Sequence, residues 1–103
     1  MSRDAISGWS VTTHSLKIWP VYFNAVRSGE KTFEIRENDR NFQRGDILHL
    51  KEWDPDADKV VQYGGRSEPY TGRDCYMRVT YVTTFAQKDG FVVMSIEPYA
   101  IDE

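Results

Sequence analysis

The densest run of chemically capable side chains lies between Gly29 and Arg40, where Lys31, Glu34, Arg36, Asp39 and Arg40 fall close together in the chain. Strand alternation across this run puts Thr32, Glu34 and Arg36 on one face and Phe33 and Ile35 on the other. Lysine and arginine hold anions, and a carboxylate between them accepts from a donor such as the amino group of a nucleobase. Lys17 stands on the outward face of an earlier alternating stretch, and Trp19 at its end offers a ring for stacking. The same spelling also describes an ordinary exposed strand face laced with ion pairs worth about 0–1 kcal/mol each. On pattern alone that plainer account is favoured, because motifs this short are weak.

A hydrolytic use of the same residues is the alternative. Lys31 would act as the activating base and Glu34 as its acid–base partner on an amide or a phosphodiester. In a strand that is regular from Lys31 onward these two side chains point to opposite faces. They cooperate only if Lys31 lies in the turn before the strand begins.

Other candidate constellations are weaker. Asp54-Pro55-Asp56-Ala57-Asp58 has the opening of a calcium loop, but Lys59 and Gly65 occupy the positions that need Gly and Glu. A solvated turn is the expected structure. His14, His49 and Cys75 stand too far apart in sequence for the paired spacing of a zinc site, so no metal and no cofactor is expected. Cys75 reads as an inert small residue at a strand start. Tyr22, Trp53, Tyr63 and Tyr70 read as core or rim aromatics.

The elements that must position these groups follow from periodicity. His14, Leu16 and Ile18 alternate with Ser15, Lys17 and Trp19, as in a half-buried strand. Pro20 suits the first position of a helix, Val21/Ala25 and Tyr22/Val26 form its stripe, and Gly29 closes it, so a short helix over 20–28 is predicted. Further strands are expected over Lys31–Glu37, Ile47–Trp53, Cys75–Phe85 and Phe91–Ile96, with turns at Gly45-Asp46 and Lys88-Asp89-Gly90. A small hairpin or flap is expected between Asp54 and Asp74. Phe33, Ile35, Leu48, Leu50, Ile96 and either Val79 or Tyr81 are expected to share one core. One short helix beside five or six strands predicts a mainly β (α+β) fold, a small closed or half-closed barrel with the helix flanking it.

A chain of 103 residues with 40% hydrophobic and 14% aromatic content suits one domain with one core. Residues 1–13 read as a lead-in and 14–103 as the domain. The net charge of −3 argues against sequence-blind coating of a polyanion. Residues 14–44 nevertheless hold six basic residues against four acidic ones, so any phosphate would be met through that segment. A single cysteine fits a reducing compartment, and no apolar run reaches the ~20 residues a membrane span needs. The N-terminus lacks the apolar stretch of a secretory signal. The expected location is the cytoplasm, without membrane association.

The residues His14-x-Leu16-Lys17, Phe23-x-x-Val26-x-x-Gly29-x-Lys31-Thr32-x-Glu34-x-Arg36-x-x-Asp39-Arg40-x-Phe42 and Gly45-Asp46-x-Leu48-x-Leu50-x-Glu52-Trp53 carry a family resemblance. So do Val79-Thr80-Tyr81 and Gly90-Phe91-Val92-Val93-Met94-Ser95-Ile96. The sequence resembles the ASCH domains of the PUA-like superfamily, in particular a short phage and bacterial branch catalogued as a domain of unknown function. Lys59–Pro69 departs from the pattern as an insertion. The resemblance implies a five- or six-stranded barrel with a flanking helix, a cleft near the Gly-x-Lys motif, and RNA or a modified nucleoside as ligand. It also brings in amidohydrolases of acetylated cytidine and a ribonuclease. In the amidohydrolases Lys31 would match the catalytic lysine and Glu34 stands where a threonine should be. Their catalytic glutamate, carried on a helical insertion, has no counterpart in Thr84–Gly90.

The leading expectation is therefore a module that binds a few nucleotides of RNA, or a nucleotide-like small molecule. Lys17, Lys31, Arg36 and Arg40 would meet phosphate or base edges, Asp39 would stand beside them, Glu34 would read a donor and Trp19 would stack. A small hydrolase using Lys31 and Glu34 is the second expectation. A protein-interaction or phage-type inhibitor role through residues 54–74 is the third.

Overall fold

The computed structural model describes residues 11–57 and 69–101. Its elements are β1 (Thr13–Ile18), α1 (Pro20–Ser28), β2 (Phe33–Glu37), β3 (Ile47–Trp53), β4 (Tyr70–Thr83) and β5 (Phe91–Pro98). They form one curled five-stranded sheet in the order β1-β3-β4-β5-β2, a mainly β half-barrel with a single flanking helix. Only β1 and β3 run parallel, and the connection between them carries α1 and β2. The expected hairpin or flap, the Lys59–Pro69 insertion and Tyr63 fall on residues 58–68 and so, apart from Pro69, lie outside the described residues. Most of the proposed 54–74 contact surface lies outside them too, and so does most of the lead-in.

Local chemistry explains the helix and leads directly to the site. Trp19, in extended backbone, precedes Pro20 at the first turn, where a missing N–H has no consequence. Gly29 ends α1 at φ 86°, a left-handed conformation that a Cβ would strain, and its N–H donates to Val26 O. The Lys31 N–H then donates to Ala25 O at 3.0 Å. The helix end therefore holds the backbone of Lys31, and β2 starts two residues later than the alternation predicts. Phe23 and Val26 turn the apolar stripe of α1 into the core.

That core is built from Leu16, Ile18, Phe23, Val26, Phe42, Leu48, Leu50, Met77, Val79, Val92, Met94 and Ile96. Leu48, Leu50, Val79 and Ile96 sit where the alternation places them, and a register shift between Val79 and Tyr81 leaves Tyr81 outside. Phe33 and Ile35 do not belong to this core. They are 41% and 52% exposed, while Glu34 between them is only 3% exposed. The alternation itself is sound, but the face that turns inward is the charged one. Pairing explains this: Glu34 lies opposite Met94 and Arg36 opposite Val92 on β5. Directly opposed residues of neighbouring strands project to the same side, and Met94 and Val92 are buried. An Ile35→Asp variant is therefore expected to stay folded and melt within a few degrees of wild type, because the new charge meets water. Loss of the cooperative melt by circular dichroism would return Ile35 to the core.

The two outer strands, β1 and β2, close the half-barrel without a backbone ladder. The Arg36 guanidinium spans the seam, donating from Nη2 to Lys17 O at 3.0 Å, and Arg40 donates from Nη1 to Ser15 O at 2.8 Å. A second buried pair braces the loop before β3. His14 Nε2 lies 2.8 Å from Asp46 Oδ2, which also accepts from Gln43 N, and the His14 ring packs edge-on against Phe42.

Candidate functional site

The seam between β1 and β2 opens beside α1 into a cavity of about 520 Å³. Lys17, Ile18 and Trp19 line it from β1 and the helix entry, and Tyr22 lines it from the first turn of α1. Lys31, Phe33, Glu34, Ile35 and Arg36 line it from the helix exit and β2. A volume of this size suits a small organic ligand, since such pockets span about 300–1,000 Å³.

A buried carboxylate between two cations forms the polar floor. Glu34 Oε2 accepts from Lys31 Nζ at 2.5 Å, and Glu34 Oε1 accepts from Arg36 Nε at 2.9 Å. Lys31 Nζ also donates to Phe33 O at 2.7 Å. An ammonium carries three donors and a guanidinium five. Two of the Lys31 donors are used here, and two of the Arg36 donors serve Glu34 and Lys17 O. Among the described residues one N–H of Lys31 and three of Arg36 thus remain for a ligand. Each Glu34 oxygen accepts one of these bonds and keeps a further lone pair for an incoming donor.

The walls are aromatic. Trp19 and Tyr22 lie nearly parallel with centroids 6.3 Å apart, and Lys31 Nζ lies 4.8 Å from the centre of the Phe33 ring. Trp19, Tyr22 and Phe33 are all substantially exposed, so their rings are open to a flat guest.

The structure thus gathers five of the seven expected binding residues, Lys17, Trp19, Lys31, Glu34 and Arg36, in one cavity. Asp39 and Arg40 do not line it. Arg40 is committed to Ser15 O further along the seam, and Asp39 sits beside it in an exposed pair. Lys17 takes part through position and backbone, its ammonium lying 4.7 Å from the Trp53 ring centre. The plain account of Glu34 as one member of an exposed charged face is overturned, because its side chain is buried between Lys31 and Arg36. Tyr22 and Phe33 are cleft residues that reasoning from the sequence treated as filler and core. The signal for Tyr22 was its place one helical step from Trp19, on the turn that Pro20 starts.

Two further carboxylate clusters lie elsewhere. Glu52 is buried and accepts from Arg73 Nε and Nη2, at 2.9 and 3.0 Å, and from Thr71. This contact raises the Arg73 pKa further above its already high value, burial opposing, and Arg73 continues to Asn24 and the Phe23 ring. These contacts clip the start of β4 to α1. On the outward face His49 lies 2.5 Å from Asp74. Cys75 is half-buried, and burial pushes its thiol pKa up, against the pull of Arg27 and with Asp74 and Glu34 adding to the rise. This is the setting of an unreactive thiol. The calcium-like Asp54-Pro55-Asp56 stretch is a turn, with Asp54 Oδ1 accepting from Asp56 N. Among the described residues no helix is long and apolar enough to cross a membrane.

A curled β half-barrel with a charged, aromatic-walled cleft at its seam defines the class of protein. The chain belongs to the family described as Domain of unknown function (DUF3850), whose model matches residues 13–96. That range starts with β1 and ends within β5, so the matched segment includes the whole cleft. A phage relative, the uncharacterized 12.9 kDa protein in the GpA 3' region of Escherichia phage P2, is 40% identical over 70 residues. The alignment covers 68% of this chain and 53% of that protein, about half the relative's length.

Proposed function

We propose that this protein is a PUA-like module of the ASCH type, acting in the cytoplasm, that takes one base of RNA or a modified nucleoside into the seam cleft. The observation that carries this reading is the combination of the Lys31–Glu34–Arg36 floor with three exposed rings in one cavity. A nucleobase is flat, with a stackable face and an edge of mixed donors and acceptors. Trp19, Tyr22 and Phe33 answer the face. The remaining donors of Lys31 and Arg36 and the acceptor positions of Glu34 answer the edge. Phosphate on the flanking chain adds charge, not specificity.

Hydrolysis is the second reading, favoured by one specific observation. Lys31 lies in the turn before β2, and its ammonium reaches Glu34, the arrangement that cooperation between them requires. Against it, both Glu34 oxygens accept from cations, and the short 84–90 connection brings no helical insertion with a further carboxylate.

One experiment tests both readings. The protein is titrated with cytidine, N4-acetylcytidine, uridine, adenosine and guanosine and followed by two-dimensional NMR. Saturable shifts at Trp19, Lys31 and Phe33 with a preference for one base are expected, without release of acetate above background. No shift at these residues with any nucleoside or short RNA would sink the binding reading. Acetate release lost in both Lys31→Ala and Glu34→Ala would put hydrolysis first.

A further inference from the structure

The outward face of β1, β3 and β4 carries a second arrangement that neither the cleft nor the core requires. Lys17 Nζ lies 4.7 Å from the centre of the Trp53 ring, and Lys51 Nζ lies 4.9 Å from that of Tyr70. The His49 ring stacks on Tyr76 with centroids 4.2 Å apart and planes 8° from parallel. Register brings these pairs side by side: Lys17 opposes Lys51, His49 opposes Tyr76 and Trp53 opposes Tyr70. Neighbouring strands lie about 4.8 Å apart, so the three cation–ring or ring–ring pairs form one contiguous patch.

We infer that this face is a track for single-stranded RNA, continuous with the cleft through Lys17, which lines the cleft and also covers Trp53. The chemical class of the strand rests on the nucleoside reading of the cleft. The argument for the face itself is charge complementarity joined to partly exposed ring surface. Lys17 and Lys51 pair with rings and make no ion pair with a carboxylate among the described residues. Among the described residues the one carboxylate on the outward face of these strands is Asp74, which opposes Lys51 and is bound by His49. Arg78 beyond it is balanced by Glu97. Among the described residues the patch therefore sets two lysines against one histidine-bound carboxylate, in a protein of net charge −3. Trp53, Tyr70 and Tyr76 are half-buried on regular strands, so their orientation is set before any ligand arrives.

A lysine over an exposed ring is a weak contact, and a base stacks on the same ring more strongly. An arriving strand would lay bases on Trp53 and Tyr70 and extend the His49–Tyr76 stack, while the displaced ammonium groups turn to its phosphates. An acidic peptide would use the lysines but leave the rings without a guest. A duplex keeps its bases stacked on one another and cannot offer them to the rings.

Fluorescence anisotropy with a labelled 12-nucleotide oligouridine and a labelled trinucleotide tests the track. For the 12-mer, Lys51→Ala is expected to raise Kd about tenfold and to lower the slope of log K against log salt by about 0.7. Tyr76→Leu is expected to raise it about tenfold as well. Trinucleotide binding, which the cleft alone can satisfy, is expected to stay at its wild-type value in Lys51→Ala and to fall in Lys31→Ala. Lys51 is a surface residue, so its variant keeps the test decisive if Tyr76→Leu fails to fold. Wild-type 12-mer affinity and slope in Lys51→Ala would overturn the track, and with Lys31→Ala still defective the cleft reading survives. The reverse pattern, Lys51 essential and Lys31 silent, would keep the track and remove the cleft. Equal competition by polyglutamate, or equal affinity for duplex RNA, would overturn the track, because either shows charge without stacking.

Discussion

Arg36→Ala should lower the melting temperature by at least about 10 °C, more than Lys31→Ala does. The reason is what it leaves behind. Glu34 is 3% exposed and only its edge meets the cleft, so its Oε1 would lose a charge-assisted hydrogen bond with little water to replace it. Breaking a buried ion pair by removing one partner costs about 3–5 kcal/mol, against about 0–1 kcal/mol for a solvated surface pair. Lys31 still holds Oε2, which moderates the loss. The same substitution also removes the bond to Lys17 O, one of two side-chain ties among the described residues across a seam that has no backbone ladder. A net cost of about 3 kcal/mol, at roughly 4–8 °C per kcal/mol for a domain of this size, gives the stated shift. Adding Glu34→Ala to Arg36→Ala should recover part of it, since the stranded carboxylate is then gone. Thermal melts of the two single variants and the double variant measure the coupling. A fall of only a degree or two in Arg36→Ala would mean that Glu34 is solvated, and the floor of the cleft would have to be redrawn.

The inversion of β2 marks the boundary of what the sequence makes legible. Pro20, the stripe at four-residue spacing and Gly29 are local signals, and α1 occupies the very span they predict. Ile47–Trp53 is equally local, bounded by Gly45-Asp46 and Asp54-Pro55, and β3 has those bounds. The period of β2 was legible for the same reason, but its facing was not. Hydropathy ranks Phe33 and Ile35 inward, and it has no term for a carboxylate whose two oxygens are both answered by cations. Only the pairing with β5, more than fifty residues away in the chain, decides the matter. The early start of β4 at Tyr70 was hidden likewise. Gly72, Arg73 and Asp74 interrupt the strand signature, and Arg73 is held there by Glu52 of β3 and Asn24 of α1. The cleft was legible in part because its charged members crowd into one short run. Their convergence with Lys17 and Trp19 depends on β1 and β2 facing each other across the seam, a non-local fact. That curl also explains how one strand can expose Phe33 and Ile35 and still line the site. They stand at the rim, where the outward surface of β2 turns into the cleft.

In binding, Lys31→Ala is expected to carry the largest single loss, a fall of about 50-fold in affinity for the preferred nucleoside. Hydrogen bonds to charged groups contribute about 1.5–3 kcal/mol, or roughly 10- to 150-fold, and Lys31 has one donor left for a ligand. Its ammonium also meets the walls, with Nζ 4.8 Å from the Phe33 ring centre and 5.8 Å from that of Tyr22. The stability cost should be below that of Arg36→Ala. Each variant strands one oxygen of Glu34, but among the described residues the Lys31 ammonium hydrogen-bonds only Phe33 O and Glu34 and bridges no seam. Affinity and stability are thereby separated between two residues that touch the same carboxylate. Lys31→Arg keeps the charge but replaces a point donor with a wider planar fork, so it should recover only part of the affinity. Isothermal titration calorimetry at fixed salt, run beside thermal melts of the same preparations, reads both quantities. If Lys31→Ala binds as tightly as wild type while Arg36→Ala does not, the ligand sits toward β1 and the guanidinium is its anchor. If neither variant loses affinity, the cleft is not where this protein meets its ligand.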